Sequence, residues 1–349
     1  MREVAVVTTG FFDGVHLGHR HVLETVVSSA RERGEEAIVV TFWPHPRTVL
    51  QQDAREFRLL STLEEKKMLL EANGIDRVEV LPFTREFAAM KAEEYLHFLR
   101  TRFGTTLVVM GYDNRIGSDK KTASEIEGHG FPNPSSLRSS SLPPEKVPTG
   151  KQACLPSLLS VGPLTFEVGS APLLSPCGSR PISPSDPASA GRSDERQEPV
   201  HISSTQIRKA LEEGRIEDAN GMLGYNYGLY GVVVAGNRMG RTIGFPTANM
   251  QLYEPLKLVP MNGVYAVEVE VLDRRFKGMC NIGLRPTVDG KVRTIETHIL
   301  DFDEDIYGLP LRIRFVRRIR DEHKFPSLEA LKEQLIQDAQ MTRNSFTRL

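Results

Sequence analysis

Cysteine is scarce in this chain: three cysteines occur among 349 residues, with a single tryptophan. Cys154, Cys177 and Cys280 fit neither a disulfide scaffold nor a zinc site, and such usage suits a reducing compartment. No apolar run approaches the roughly 18 residues that a membrane span needs. The start of the chain also lacks the charged and then apolar segment of a secretory signal. We therefore expect a soluble, cytoplasmic protein.

An excess of charge of one sign is absent too, because 44 lysines and arginines nearly balance 45 aspartates and glutamates. Proteins that bind nucleic acid or anionic membranes by charge carry a basic surplus, which this chain does not have. The length allows two domains, each with its own core. We expect small-molecule substrates and weak self-association, and neither nucleic acid nor membrane as a partner.

The first informative stretch is residues 9–19, TGFFDGVHLGH, between a short apolar run and a helical pattern. A glycine-bearing turn from a strand into a helix directs backbone N–H groups and the positive helix end toward an anion. His16 and His19 could both reach one phosphate there, although a solvated pair of histidines is the alternative. No Gly-Lys-Ser/Thr follows, so this is no Walker loop. The spacing resembles the His-x-Gly-His signature of nucleotidyltransferases, which attack the α-phosphate of a nucleotide and expel pyrophosphate.

Strands and helices alternate along the N-terminal part of the chain. Apolar patterns predict strands over residues 4–7, 36–42, 77–83 and 105–110, and helices over 20–33, 61–73 and 92–102. Ser61 is expected to cap the second of these helices, and Gly74 to end it. Such alternation indicates a parallel sheet with helices on its faces. Ligands of such sheets bind beyond the carboxyl ends of the strands, where residues 9–19, 44–46 and 111–115 follow.

The composition changes between residues 131 and 200, which hold most of the chain's 22 prolines. This stretch has too little apolar surface to offset the entropy of ordering, so we predict a disordered insertion. Residues 164–168 alone have strand character and are a candidate for the next strand of the sheet. Beyond the insertion, Ser203 and Thr205 precede a helical pattern that continues to Leu223. Hydroxyls there most often cap a helix, but with Arg208 they could also bind a phosphate.

From residue 227 the pattern becomes all-β, which predicts a small antiparallel barrel. Short strands are expected over residues 229–234, 263–272, 276–282, 294–300 and 311–318, followed by a helix over 327–341. Ser327 is the expected N-cap of that helix.

A glycine-rich segment stands near the start of this β-rich part. Gly236, Gly240 and Gly244 recur at four-residue spacing, and Arg241 lies among them. A flexible loop that covers phosphates has this character, and a glycine-rich barrel corner is the alternative. Thr247 and Asn249 follow two residues apart, and their oxygens can hold a hard Mg²⁺ ion bridged to phosphate oxygens.

Eight motifs in this order resemble the bacterial bifunctional riboflavin kinase/FAD synthetase family. They are GFFDGVHLGH, TFWPHP, GYDNRIG and ISSTQIR, then GNRMGRTIGFPTAN, NIGLRPT, ETHILDFDEDIYG and RDEHKF. The resemblance implies an α/β plus β protein, with a Rossmann-like nucleotidyltransferase domain over residues 1–225 and a riboflavin kinase barrel over 226–349. The barrel would transfer the γ-phosphate of ATP to riboflavin, giving FMN. The N-terminal domain would adenylylate FMN to FAD and release pyrophosphate, with Mg²⁺ as the metal.

The resemblance also implies roles for individual residues. His16 and His19 would stabilise the α-phosphate, and Glu296 would be the general base for the ribityl hydroxyl of riboflavin, because a carboxylate can orient an alcohol and accept its proton. The implied nucleotide and phosphate ligands are Gly10, Phe11, Asp13, Gly18, Asp113, Arg115, Ser203, Thr205, Arg208, Gly236, Gly240, Arg241 and Gly244. The implied flavin contacts are Pro44, His45, Pro46, Arg320, Glu322 and Phe325, and the implied metal ligands are Thr247 and Asn249.

Two features depart from the family pattern. Asn114 and Ile116 stand where the family usually has Phe, which alters the wall of the adenine or flavin site. The insertion of about seventy residues is the second. If it loops out, its closure entropy grows only logarithmically and the site survives; if it replaces a needed strand and helix, adenylylation is weakened. The main alternative is therefore a riboflavin kinase whose N-terminal domain only binds nucleotide or flavin. A flavin-sensing regulator and a tRNA-acting relative are disfavoured, the first because the site residues are intact.

Overall fold

A computed structural model of the chain describes residues 4–50, 57–111, 114–127, 202–236, 239–287 and 290–346, and the backbone of 165–169. The rest of the predicted insertion lies outside the described residues, and so does Asp113. Within the described ranges, no helix is long and apolar enough to cross a membrane.

The chain packs into two compact units, and each unit is assembled from separate stretches of sequence. The first unit comprises Met1–Phe11, His21–Gln52 and Leu70–Ala171, and the second comprises Phe12–Arg20, Asp53–Leu69 and Pro172–Leu349. The expected boundary between an N-terminal domain over residues 1–225 and a C-terminal domain over 226–349 stays a prediction.

The first unit contains a five-stranded sheet in which all paired strands are parallel, as predicted. Its strands are β1 (Ala5–Thr9), β2 (Glu36–Trp43), β3 (Arg77–Pro82), β4 (Thr105–Gly111) and β5 (Thr165–Gly169), in the order β3-β2-β1-β4-β5. The candidate strand inside the insertion is confirmed, because β5 pairs with β4. Strand β1 is buried along its whole length and β2 except at its two ends, and both are mainly apolar, which is typical of a sheet covered on both faces.

The described residues in the same part of the sequence form six helices: α1 (Leu17–Arg33), α2 (Pro46–Leu50), α3 (Leu63–Ala72), α4 (Arg85–Ala88), α5 (Ala92–Phe103) and α6 (Ala123–Glu127). Ser61 is not the N-cap of α3 as predicted; Thr62 is. The Thr62 hydroxyl accepts from the Glu65 amide at 3.1 Å, and the Glu65 carboxylate accepts from the Thr62 amide at 2.9 Å. Gly74 follows α3 with φ 88°, the left-handed conformation that commonly ends a helix.

The second unit contains a closed barrel with antiparallel neighbours, again as predicted. Its strands are β6 (Gly228–Val234), β7 (Ala248–Leu252), β8 (Gly263–Val271), β9 (Arg274–Thr287), β10 (Gly290–Ile299) and β11 (Pro310–Arg320), in the order β10-β7-β6-β11-β8-β9. Strand β7 was not among the predicted strands, because its sequence ANMQL lacks the β-branched residues that mark a strand.

Four helices complete the described part of this unit: α7 (Ser204–Glu212), α8 (Ile216–Leu223), α9 (Met239–Thr242) and α10 (Leu328–Ser345). The single helix predicted up to Leu223 is wrong, because Gly214 turns the chain at φ 73° between α7 and α8. Gly224 ends α8 in the left-handed conformation, and Ser327 caps α10 by accepting from the Ala330 amide. One apolar core joins α7 and α8 to the barrel interior, with Ile207, Leu211 and Phe315 fully buried in it.

Residues 57–69 belong to the second unit because they are fastened to the barrel segment around Lys257. The Leu59 amide donates to the Leu256 carbonyl at 2.8 Å, and the Leu258 amide donates to the Leu59 carbonyl at 2.9 Å. The buried Lys257 ammonium donates to the Leu60 carbonyl at 2.8 Å and pairs with Glu65. The same stretch lies beside the turn that follows β1, because the amides of Leu60 and Ser61 donate to the Asp13 carboxylate.

Candidate active sites

The turn after β1 has an unusual backbone. Phe12, Gly14 and Val15 all have positive φ, at 47°, 81° and 38°. Side chains other than glycine rarely adopt this region, and it persists only where surrounding contacts hold it. Here the Gly14 amide donates to the Ser61 hydroxyl at 2.9 Å, and the Tyr225 hydroxyl donates to the Gly14 carbonyl at 2.7 Å. Contacts within the protein thus hold the shape of this turn.

Asp13 is the centre of these contacts. Its carboxylate is only 3% exposed and accepts from the backbone amides of Leu60 and Ser61 at 3.0–3.1 Å. The Arg208 guanidinium pairs with the same carboxylate and also donates to the Arg58 carbonyl at 2.9 Å. Two residues predicted to bind nucleotide therefore bind each other. The arrangement gives Asp13 a role in holding the turn, and its contact with a nucleotide stays a prediction.

His16 and His19 are brought together, as the spacing predicts. Their rings stack at 3.6 Å between centroids and 16° between planes, and the His19 amide donates to His16 Nδ1 at 3.3 Å. Because Nδ1 of His16 accepts this hydrogen bond, Nε2 is the ring nitrogen that can donate to a ligand. Gly18 leaves room for this packing, since an added Cβ would lie in tight contact with His16 Nδ1, at 3.2 Å.

His19 is the electrostatically perturbed member of the pair. Burial, and then the charges of His16 and Lys66, hold the pKa of His19 well below 6.5. Its buried Nδ1 has no hydrogen-bond partner among the described residues. An uncharged imidazole with an unused nitrogen can take up a proton or donate a hydrogen bond once an anion binds beside it.

The hydroxyl motif lies at the start of α7. Ser203 is the N-cap, and its hydroxyl accepts from the Gln206 amide at 3.3 Å. The Ser204 hydroxyl donates to the Asp13 carbonyl at 3.1 Å, whereas Thr205 is exposed. Capping, the commoner use of such hydroxyls, is what Ser203 does here.

In the first unit, the predicted flavin loop meets Phe11. The Phe11 ring lies 5.2 Å from the His45 ring, and Phe42 and Phe83 complete the aromatic group at 5.3 and 5.9 Å. His45 stands between Pro44 and Pro46, where β2 passes into α2. Just before this group, the Gly10 amide donates to the Val40 carbonyl at 3.1 Å. An aromatic surface at the carboxyl ends of β1–β3 suits a planar ring.

The altered position Asn114 has a clear structural use. Its side-chain amide donates to the Thr9 carbonyl at the end of β1 at 2.8 Å, and its oxygen accepts from the Arg115 amide at 2.9 Å. Ile116, the other altered position, is buried in the core of this unit, whereas the Arg115 side chain is exposed. These contacts fasten the segment after β4 to β1.

The barrel region of the second unit contains a cavity of about 660 Å³. This volume lies within the range of about 300–1,000 Å³ that is typical of small-molecule sites. Six residues that the sequence proposed for the kinase site line it: Gly240, Thr247, Glu296, Arg320, Glu322 and Phe325. A second cavity of about 210 Å³ is lined by Arg241, Pro246, Asp303 and Tyr307 among others. Thr247 lines both cavities, so ligands in the two can meet at this residue.

Glu296 lies in a polar row that crosses three strands. On β10 it is directly opposite Asn249 of β7 and Asn281 of β9. Directly paired residues share a face of the sheet, and Asn281 lines the same cavity as Glu296. Among the described residues, no hydrogen bond or ion pair engages the Glu296 carboxylate. Asn281 was missed as a site residue, although it opens the recognised NIGLRPT motif.

His298 is a second residue that the sequence analysis missed. Its Nδ1 donates to the Pro246 carbonyl at 2.7 Å, and its ring lies 5.1 Å from that of Phe245. Burial lowers the pKa of His298. The contact holds the residues just before Thr247.

At two glycines of the predicted loop, another part of the chain lies too close to the backbone to leave room for a side chain. An added Cβ at Gly236 would lie 2.1 Å from the Asn249 side-chain nitrogen, and at Gly240 it would lie 2.2 Å from the Phe245 carbonyl oxygen. Gly244 has φ 84°. The described residues contain no group of three or more His, Cys, Asp or Glu side chains that could hold a metal. Thr247, Asn249 and Glu296 offer oxygen donors instead, the chemistry that Mg²⁺ prefers.

Known proteins resemble both halves of the chain. A riboflavin kinase family model matches residues 223–346, and an FAD synthetase family model matches residues 1–128. Relatives named bifunctional riboflavin kinase/FMN adenylyltransferase occur in Bacillus subtilis at 32% identity and in Listeria monocytogenes at 33%, each aligned over 99% of this chain and 93% of the relative. The relative of that name in Escherichia coli is 31% identical over 99% of this chain and 94% of its own.

One solved structure is similar over nearly the whole chain. It is described as a macrolide-efflux protein from Streptococcus pneumoniae, and it matches with a TM-score of 0.77 and 28% sequence identity. The match covers 99% of this chain and 95% of that one. The likeness therefore covers the sequence of both the sheet and the barrel.

Proposed function

The chain belongs to the bifunctional riboflavin kinase/FMN adenylyltransferase family and makes FMN from riboflavin and then FAD from FMN, and we propose that two separate sets of its residues perform the two reactions. For the kinase reaction, the observation that supports this most is the cavity that contains Glu296 and meets a second cavity at Thr247. For adenylylation, it is the stacked pair of His16 and His19 on a preformed turn.

We propose that riboflavin occupies the larger cavity and the phosphates of ATP reach Thr247 from the smaller one. The Glu296 carboxylate orients the terminal ribityl hydroxyl and takes its proton as the hydroxyl oxygen bonds to the γ-phosphorus. The bond between that phosphorus and the ADP oxygen breaks, so ADP leaves. Thr247 and Asn249 would hold Mg²⁺ beside the phosphates, and Gly240, Arg241 and Gly244 would cover them. When bound, the metal offsets the negative charge of the phosphate oxygens.

For adenylylation, we propose that a phosphate oxygen of FMN attacks the α-phosphorus of ATP and that pyrophosphate leaves. His16 donates from Nε2, and His19 donates once the bound phosphates raise its affinity for a proton. The backbone of Gly10 and Phe11 would face the nucleotide. The resemblance to the family implies that Arg115, Ser203 and Thr205 also bind its phosphates. The Pro44–His45–Pro46 loop beside Phe11 would contact the flavin ring.

We further propose that the protein is cytoplasmic, that small molecules are its only substrates, and that it self-associates weakly. The balanced charge argues against nucleic acid as a partner. Cys280 is a free, buried thiol, and burial raises its pKa to about 12, so it is protected from oxidation.

A single time course tests the proposed function. The purified protein is incubated with riboflavin, ATP and Mg²⁺, and the flavins are separated at intervals. FMN should appear first and FAD should follow, and chelation of Mg²⁺ should stop both steps. If FMN accumulates and no FAD forms, even from FMN that is supplied directly, the protein is a riboflavin kinase only.

A further inference from the structure

Helix α10 buries a charged side chain against the barrel. Asp338 is fully buried, although the helix around it is largely polar and exposed. A carboxylate removed from water is strongly destabilising unless it is paired and hydrogen-bonded. Its partners therefore indicate why this position is charged.

Arg320 supplies most of those partners. Its Nε lies 3.0 and 3.1 Å from the two carboxylate oxygens of Asp338, and its Nη2 donates at 2.7 Å. The Gln334 side-chain amide donates to the same carboxylate at 2.9 Å. Two guanidinium nitrogens of Arg320 are thus engaged by one buried acid, in the fork geometry that only arginine offers.

The remaining nitrogen of Arg320 is directed at the segment that follows it. Its Nη1 donates to the Asp321 carbonyl at 3.0 Å and contacts His323 Nδ1 at 3.3 Å. The guanidinium carbon lies 5.5 Å from the centre of the Phe325 ring, in cation–π range. Glu322 and Phe325 of this segment, residues 321–325, line the larger cavity. Arg320 thereby connects the buried acid to one wall of that cavity.

We propose that Asp338 is a positioning residue of the riboflavin site: it fixes Arg320, and Arg320 fixes the cavity wall formed by residues 321–325. This inference rests on the proposed kinase function. The charge of Arg320 is paired with Asp338 and does not need the flavin as a partner. Arg320 therefore acts on the site by positioning the cavity wall. Displacement of reacting groups by about 1 Å can lower rates about 100-fold, so the loss of such a support has measurable effects.

A purely structural role for Asp338 predicts something different. In that case the ion pair would only attach α10 to the barrel, as the pair between Arg343 and Asp301 does at 3.0 Å. Asp301 is exposed and has φ 55°, a conformation that asparagine tolerates well. Asp301→Asn is therefore a control for the chemical change itself, because it replaces the acid of a second, exposed ion pair of α10.

The test compares Asp338→Asn with Asp301→Asn. Riboflavin affinity is measured by quenching of riboflavin fluorescence, and the KM values for riboflavin and ATP are measured in the kinase assay. Asp338→Asn should raise the Kd and KM for riboflavin about 10- to 100-fold and leave the KM for ATP within about threefold. Asp301→Asn should change none of them. Unchanged riboflavin affinity in Asp338→Asn, or an equal change in both variants, overturns the proposal.

A second variant keeps the proposal testable if Asp338→Asn does not fold. Arg320→Lys retains the charge and loses the fork, so it should weaken riboflavin binding in the same way. Where both single variants fold, their effects should not multiply in the double variant, because both act through one connection. Multiplicative effects would show that Asp338 does not act through Arg320. Failure of the wild-type protein to form FMN would instead refute the proposed function itself.

Discussion

Asp13 and Glu296 are both carboxylates within recognised motifs, yet their hydrogen bonding in the structure is opposite. Asp13 is 3% exposed and saturated by two backbone amides, a hydroxyl and Arg208. Glu296 lines a cavity of about 660 Å³, and among the described residues nothing hydrogen-bonds to it. A satisfied carboxylate holds a loop, whereas an unengaged one in a cavity can accept a proton. Membership of a motif therefore does not show whether a carboxylate has a structural or a catalytic role, whereas its contacts distinguish the two.

The same contrast extends to the surroundings of each acid. Around Asp13, a backbone with three positive φ values is held by contacts to Ser61, Tyr225 and Arg208. Around Glu296, strand register aligns Asn249 and Asn281, and the other cavity walls come from separate elements. The first region is thus a turn held by contacts within the protein, and the second is the polar lining of a cavity.

The largest effect is expected from Glu296→Gln, which removes the proton acceptor and keeps the shape. FMN formation should fall about 100- to 10,000-fold, because that is the usual contribution of a general base. Conversion of supplied FMN to FAD should continue at the wild-type rate, and this serves as the folding control. FMN formation near the wild-type rate would show that Glu296 is not the base.

His19→Ala tests the other region. Loss of one positioned transition-state donor should slow FAD formation from FMN about 100- to 1,000-fold. Phosphorylation of riboflavin, measured in the same preparation, should stay close to wild type. An equal loss of both activities would contradict the assignment of separate sites.

Asp13→Asn should act on stability. It removes the charge that pairs with the largely buried guanidinium of Arg208, and breaking a buried ion pair in this way lowers the free energy of unfolding by about 3–5 kcal/mol. Asp218→Asn is the control, because it breaks an exposed pair with Arg215 at 2.8 Å and should change stability by less than about 1 kcal/mol. Urea denaturation of both variants measures the difference. Equal effects would mean that Asp13 does not hold the turn.

The smallest effect concerns pH. His19 is uncharged in the folded protein because its pKa is lowered, whereas the unfolded chain binds a proton near pH 6.5. Its contribution is fully present above about pH 6.5 and is lost as the pH falls, by up to about 1.4 kcal/mol per pH unit. His19→Gln should therefore lose less stability than wild type between pH 7 and pH 5. Parallel pH profiles of the free energy of unfolding would contradict the lowered pKa.

Features with a local signal were predictable from the sequence. The parallel sheet, the barrel and the strand inside the insertion all follow from short apolar patterns. Ser61 and Thr62 show where local prediction fails, because either hydroxyl could cap α3. The Ser61 hydroxyl instead accepts from the distant Gly14 amide, and Thr62 caps the helix. Asn281 and Asp338 were out of reach for the same reason. Their roles come from strand register and from a contact between α10 and β11, which no local pattern records.

The central claim, two independent sites in one chain, is tested most directly by mixing two inactive variants. Glu296→Gln alone should not convert riboflavin, and His19→Ala alone should stop at FMN. An equimolar mixture with riboflavin, ATP and Mg²⁺ should produce FAD, with FMN released by one protein and used by the other. If both variants are folded and the mixture yields no FAD, the two reactions do not proceed at separate sites that exchange FMN through solution.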